Sequence, residues 1–201
     1  QEEQDTVYTF EEPPIIPYVP EFMAVEDTVP EENVAALRGT AMHRVLECFD
    51  FSRGPASLEE QLEEMKGEGR MEERLSELIS LSHLRQFLTS GLARRMGRAA
   101  RTGKLYREKP FVMGKEAKAV QPETESSALV LVQGIIDAFF EEDGALVLVD
   151  YKTDAVKTGQ ELVKRYQAQM DLYEEALKRA TGKPVKEKLL YSFKLREVIP
   201  V

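Results

Sequence analysis

The sequence predicts an α/β fold: a three-layer α/β/α arrangement with a central mixed sheet, preceded by an extended arm. Apolar runs of strand length interleave with segments of helical periodicity, so the sheet must be covered on both faces. Two of the strands are joined by a tight acidic turn, Glu141-Glu142-Asp143-Gly144. Half of the prolines gather in the first 33 residues, at Pro13, Pro14, Pro17, Pro20 and Pro30.

Residues 1–33 are acidic, and Ile15, Ile16, Tyr18, Val19, Phe22 and Met23 interrupt the prolines. That pattern suits an extended arm lying on a surface and tethering the chain to an upstream domain. The rest, residues 34–201, reads as one domain with a helical part, 34–103, and an α/β core, 104–201. From Glu32 to Phe49 the pattern is helical, with Met42, Val45, Leu46 and Phe49 as an apolar stripe. Residues 54–102 read as short helices broken at Gly67, Gly69, Gly91 and Gly103, with Leu75, Leu78 and Ile79 inward. A strand from Lys104 to Met113 carries Glu108 and is followed by a polar loop around Pro122 to Ser127. Strands follow at Ala128 to Phe140 and Ala145 to Tyr151. Gly159 to Thr181 is a helix, with Leu162, Tyr166, Met170, Tyr173 and Leu177 on one face and a stop at Gly182-Lys183-Pro184. Leu189 to Leu195 is read as the closing strand, with Val198 to Val201 trailing.

A length of 201 residues suits one large domain, and 42% hydrophobic content is that of a globular chain. No apolar run approaches a membrane span. The chain begins with Gln1 and shows no signal-peptide pattern, so it reads as a piece of something longer. A single cysteine, Cys48, excludes an internal disulfide and a four-cysteine zinc or iron–sulfur site, and suits a cytosolic, reducing setting. A net charge of -9 argues against capture of nucleic acid by bulk electrostatics. A chain this acidic that worked on nucleic acid would need its strand delivered by a partner.

The chemistry concentrates in Gly134-Ile135-Ile136-Asp137 and Val149-Asp150-Tyr151-Lys152-Thr153. Asp137 and Asp150 each follow an apolar run, and a buried carboxylate is costly unless something positive satisfies it. Two converging carboxylates with Lys152 beside the second invite a divalent cation, and hard oxygen ligands suit Mg²⁺ or Mn²⁺. Such an ion would lower the pKa of a bound water, and Lys152 would orient or activate that water and stabilise developing negative charge. His43 borders the apolar stripe and, on its own, reads as a partly buried helix residue. Gln169 and Tyr173, four apart on one helical face, read as a core-rim pair. Glu108 is either a surface partner of Arg107 or Lys109, or a site-proximal group. His83 reads as a surface residue. The series Arg94, Arg95, Arg98 and Arg101 reads as a solvated face, with guidance of a phosphate backbone as the alternative.

Taken in order, Gly39-Thr40-Ala41-Met42-His43, Glu108, Gly134-Ile135-Ile136-Asp137, Asp150-Tyr151-Lys152-Thr153 and Gln169-Met170-Asp171-Leu172-Tyr173 resemble the RecB-type nucleases. These form a branch of the PD-(D/E)XK superfamily, and the likeness runs from about residue 34 to 195. The arm and the Arg-Gly-Thr-Ala-Met-His form are most similar to the C-terminal nuclease domains of AddA-type subunits of bacterial AddAB helicase-nucleases. The resemblance implies a restriction-endonuclease-like fold and Mg²⁺-dependent hydrolysis of DNA phosphodiesters, with Mn²⁺ able to substitute. It implies metal ligation by His43, Asp137, Asp150 and the backbone carbonyl of Tyr151, with Lys152 in the catalytic lysine position. Gln169 and Tyr173 are implied to support the site or contact DNA, and Glu108 is a further carry-over. Relatives with an iron–sulfur cluster carry four cysteines, which this chain lacks.

The implied substrate is single-stranded DNA, fed by upstream ATP-driven helicase domains of the same chain during recombinational repair of double-strand breaks. ATP belongs to that helicase portion, since no G-x-x-x-x-G-K-[ST] loop occurs here. A second, AddB-like helicase-nuclease subunit is the implied partner, in a bacterial cytoplasmic setting away from membranes. The alternative is a catalytically silent module of the same complex that steers DNA or docks the partner.

Overall fold

The computed structural model describes residues 34–120 and 126–201, so the expected arm lies outside the described residues. Five strands form one mixed sheet in the order β1-β2-β3-β4-β5. They are β1 (Leu105–Glu116), β2 (Leu129–Glu142), β3 (Ala145–Lys152), β4 (Val185–Ser192) and β5 (Glu197–Pro200). Only β3 and β4 run parallel. Their connection is the long helix α7 (Gly159–Thr181), the crossover that parallel strands require.

The remaining helices precede the sheet: α1 (Val34–Cys48), α2 (Leu58–Gly67), α3 (Glu73–Ser76), α4 (Leu81–Leu88) and α5 (Gly91–Arg101), with the single turn α6 (Ala117–Val120) after β1. One core joins Met42, Val45 and Leu46 of α1 and Phe87 of α4 to Ala138, Val147, Val149, Tyr151 and Tyr191. A second joins Leu162, Met170, Tyr173 and Leu177 of α7 to Ile136, Leu146, Leu148 and Leu190. The sheet is therefore covered on both faces, as the sequence predicts. Alternate residues of β3 feed opposite cores, the period-two rule of a strand.

Local signals set the element ends. Thr158 accepts from the N–H of Glu161 at the start of α7, and Gly182 at its end takes the left-handed conformation with φ 68°. In the acidic tetrapeptide only Asp143 and Gly144 turn, at φ 54° and 79°, the two-residue hairpin for which Asp-Gly is suited. Glu141 and Glu142 still pair within the ladder. At the closing strand the sequence expectation is corrected. Pairing begins at Val185, directly after Pro184, and ends at Ser192, and Val198 lies in a fifth strand. Lys186 and Lys188 hid the strand start: Lys186 reaches Glu142 and Asp143, and Lys188 reaches Asp171 and Glu174.

One approach between layers positions the site. Gly39 of α1 is buried, and a Cβ there would stand 2.8 Å from Oγ1 of Thr153, just beyond β3. Gly39 thus lets α1 descend onto the end of β3. A Gly39→Val variant is expected to lose about 1–3 kcal/mol by overpacking, and Gly39→Val/Thr153→Ala to regain much of it. Urea denaturation of both variants checks this, and an equal loss in the double variant would remove Thr153 as the cause.

Candidate functional site

Side-chain alternation reverses at one point on two neighbouring strands, and the candidate site forms there. On β2, Val132 and Ile136 pack toward α7, whereas Ala138 and Phe140 pack toward α1–α5. On β1, Phe111 and Met113 face α7, as does Tyr106, while Leu105 faces the other way. Arg107 pairs with Ala138 and Lys109 with Ile136, which leaves Glu108 opposite Asp137. Glu108 has φ 46°, a strained conformation for a side chain of this size. The break turns two facing carboxylates toward one cleft.

Helix α1 supplies the third group. One ligand atom each of His43, Glu108 and Asp137 lies within 4.8 Å of the others. His43 Nε2 is 3.0 Å from the carbonyl oxygen of Tyr151, and its Nδ1 is 3.5 Å from Oδ2 of Asp137. A carbonyl only accepts, so Nε2 is the donor in this contact. Asp137 Oδ2 accepts the N–H of Tyr151 at 2.9 Å. The cleft beside them is open and lined by Gly39, Thr40, Arg44 and Glu47 as well as His43 and Glu108.

Asp150 and Lys152 leave β3 on the α7 side. Asp150 is only 1% exposed. Its Oδ2 accepts no hydrogen bond among the described residues and has Lys152 Nζ as an ionic neighbour at 2.7 Å. Gln169 Oε1 accepts from Lys152 at 3.2 Å, and its Nε2 donates to the Tyr173 hydroxyl at 2.7 Å and, weakly, to Asp150 at 3.5 Å. Gln169 is thus no mere core-rim residue: its two amide ends hold a cation and a carboxylate. Tyr166, one turn before Gln169, places its ring 3.9 Å from Lys152 Nζ. The sequence reading assigned Tyr166 only to the apolar stripe, although its spacing puts it on the Gln169–Tyr173 face.

Charge is unbalanced here. Burial, then the charges of Asp137 and Glu47, push the Glu108 carboxyl up to about 7, against smaller opposing effects of His43 and Arg44. Burial, then Asp137, also raises Asp150, with Lys152 opposing. Burial pulls the Lys152 ammonium down, but Asp150 and Asp137 outweigh it and its pKa is raised. Lys152 therefore stays protonated at neutral pH and cannot take a proton from water in the metal-free chain.

The residues fit a divalent cation. The raised carboxyls of Glu108 and of the buried Asp150 are what an added positive charge would relieve. Neighbouring ligands on a six-coordinate Mg²⁺ at ~2.1 Å stand about 3 Å apart. His43 Nε2 and the Tyr151 carbonyl stand 3.0 Å apart as a hydrogen-bonded pair, so an ion shared by them would replace that hydrogen bond.

Folded Glu108 titrates near 7 against an ordinary 4.5, so the folded chain holds this proton more tightly than the unfolded one. Stability of the metal-free chain therefore falls as pH rises through that window, and Asp150 adds the same sign. Thermal melts at about pH 5 and about pH 8 should show a larger loss for the parent than for Glu108→Gln. Equal losses would place the titrating proton elsewhere.

Residues 20–198 match the family profile of the PD-(D/E)XK nuclease superfamily. The chain is 34% identical to the ATP-dependent helicase/nuclease A-subunit of Lachnoclostridium phytofermentans, over 93% of this chain and 16% of that protein. It is 37% identical to the protein of the same name from Alkaliphilus oremlandii, over 90% of this chain and 15% of the relative. The counterpart in a Thermoanaerobacter species is 36% identical over 79% of this chain and 13% of its own length. The chain thus spans about one sixth of the curated relatives it matches. The profile match runs through α1, both carboxylate strands and the Gln169–Tyr173 face, and the chain belongs to the PD-(D/E)XK nuclease superfamily.

Proposed function

We propose that this chain is the metal-dependent deoxyribonuclease domain of an ATP-dependent helicase-nuclease. It hydrolyses phosphodiester bonds of single-stranded DNA that helicase domains deliver during recombinational repair of double-strand breaks. The observation that carries the reading is the convergence of His43, Glu108 and Asp137 beside the buried Asp150–Lys152 pair. The names of the relatives supply the helicase and the second subunit, here AddB-like. PD-(D/E)XK nucleases use divalent metals, and the hard oxygen donors of this site favour Mg²⁺, with Mn²⁺ as a substitute.

In this reading His43, Asp137, Asp150 and the Tyr151 carbonyl hold the ion, and Glu108 adds a carboxylate at its edge. The bound ion supplies Lewis-acid polarisation of a phosphate oxygen and a water of lowered pKa. Lys152 stays charged, faces the phosphate and offsets the negative charge that grows on it as the bond to the attacking oxygen forms. Gln169 fixes the Lys152 ammonium by its carbonyl, and the ring of Tyr166 confines it on another side. Tyr173 holds the Gln169 amide in the orientation that allows this. The role this geometry gives Lys152 is electrostatic and positional.

Among the described residues no helix is long and apolar enough to cross a membrane. The single cysteine suits the reducing bacterial cytoplasm, which completes the proposal.

A labelled single-stranded oligonucleotide tests the reading with Mg²⁺ or Mn²⁺ present. The parent should cut it in a metal-dependent way, and Asp150→Ala should lose both cutting and metal binding. Lys152→Met should keep metal binding while its cleavage rate falls about 10²–10³-fold. Metal binding by neither the parent nor any variant would overturn the catalytic reading. Full activity in Lys152→Met would remove the lysine from the mechanism.

A further inference from the structure

The densest basic run of the sequence lies far from the catalytic groups. Arg95 of α5 is clamped by Glu142 and Glu187, both at 2.6 Å. The carbonyl of Lys104, just past α5, accepts from the N–H of Glu141 at 3.0 Å, beside the β2–β3 turn. That is the end of β3 opposite Asp150.

A second basic cluster, scattered in sequence, sits at the catalytic end. It draws Arg38 from α1, His83 from α4, and Lys194 and Arg196 from the turn between β4 and β5. Arg196 Nη2 lies 3.2 Å from Nε2 of His83. A guanidinium only donates, so Nε2 accepts and the ring of His83 is neutral. Burial, then the positive charges of Arg196, Arg38 and Lys194, hold the His83 ring below its ordinary pKa. Arg196 touches this uncharged ring, Arg38 and Lys194 lie near enough for their charge to act on it, and all three are exposed. None of them forms an ion pair with a carboxylate among the described residues, unlike Arg44, Arg53, Arg95 or Lys188.

Both sides of the cluster are anchored at the end of β3 that carries Lys152. The N–H of Phe193 donates to the carbonyl of Lys152 at 2.9 Å, and Lys194 is the next residue. Gly39 seats α1 against Thr153, and Arg38 immediately precedes it. Along α1, His43 comes five positions after Arg38, about 7.5 Å further along the axis and about 140° round it. Like charges gathered with no acidic partner repel one another and are stabilised by an anion that bridges them.

We propose that Arg38, Lys194 and Arg196 form a phosphate-binding track that holds the backbone of single-stranded DNA beside the cleavage centre. The inference rests on the nuclease reading and adds the surface that takes the strand. It gives an acidic chain a local way to grip a polyanion. The track is sequence-independent, because phosphate contacts position a strand without reading its bases.

Lys194→Glu/Arg196→Glu, and separately Arg38→Glu, should raise KM for a labelled oligothymidylate several-fold while leaving kcat near the parent value. Fluorescence anisotropy in metal-free buffer should show weaker binding. The slope of log Kd against log salt should flatten by roughly 0.7 for each lost phosphate contact. Arg94→Glu/Arg101→Glu on α5, with the same change in net charge, should behave like the parent. Unchanged KM and salt slope in both cluster variants, or an equal effect of the α5 control, would overturn the track and leave the nuclease reading intact. If the parent neither cuts nor binds either metal, the nuclease reading falls and anisotropy alone decides the track. Binding lost on charge reversal supports it, and no binding by the parent overturns it.

Discussion

An excess of negative charge around the end of β3 governs the organisation of this domain. Half-buried Glu108 and Asp137 converge on His43, and beside them the buried Asp150 has Lys152 as its ionic neighbour. No packing of apolar side chains relieves such a cluster, because burial itself raises the cost of each charge. The fold answers it by raising the Glu108 and Asp150 carboxyls and by fixing Lys152 between Asp150 and Gln169. The surrounding architecture keeps the groups close. Core packing on both faces pins β3, Gly39 brings α1 onto its end, and the Tyr151 N–H holds Asp137.

Much of this was legible in the sequence. The β2–β3 hairpin followed from two apolar runs around an Asp-Gly turn, and α7 from its apolar repeat and its Gly-Lys-Pro stop. Asp137, Asp150 and Lys152 stood out as costly residues in apolar surroundings. What stayed hidden has identifiable physical causes. The reversal of alternation at Glu108 and Asp137 needs both strands to change face together, and no one-dimensional period encodes that. Glu108 therefore read equally well as a surface residue, although it faces Asp137 across the ladder. The start of β4 was masked by lysines whose partners, Glu142 and Asp171, come from elsewhere in the chain.

Basic residues show the same contrast. Arg94, Arg95, Arg98 and Arg101 are conspicuous because they are adjacent, yet the best buried of them is committed to an ion-pair network at the far end of the sheet. Arg38 is separated from Lys194 and Arg196 by most of the chain, and the turn that holds these two, with Arg196 at φ 60°, is tied to Lys152 through Phe193. A net charge of -9 therefore describes the surface poorly at the place where a polyanion would approach. Delivery of DNA by helicase domains and a short positive track beside the site are complementary in this account. The first overcomes the global repulsion, and the second holds the strand once it has arrived.

The central claim is that the break in β1 and β2 builds a cation site with His43. Anomalous diffraction from crystals of this chain grown with Mn²⁺ tests it most directly. The account predicts a single strong peak, or a close pair, between His43 and Asp137, within coordinating reach of Asp150 and the Tyr151 carbonyl. A well-ordered site without a peak, or a peak elsewhere on the acidic surface, would contradict it.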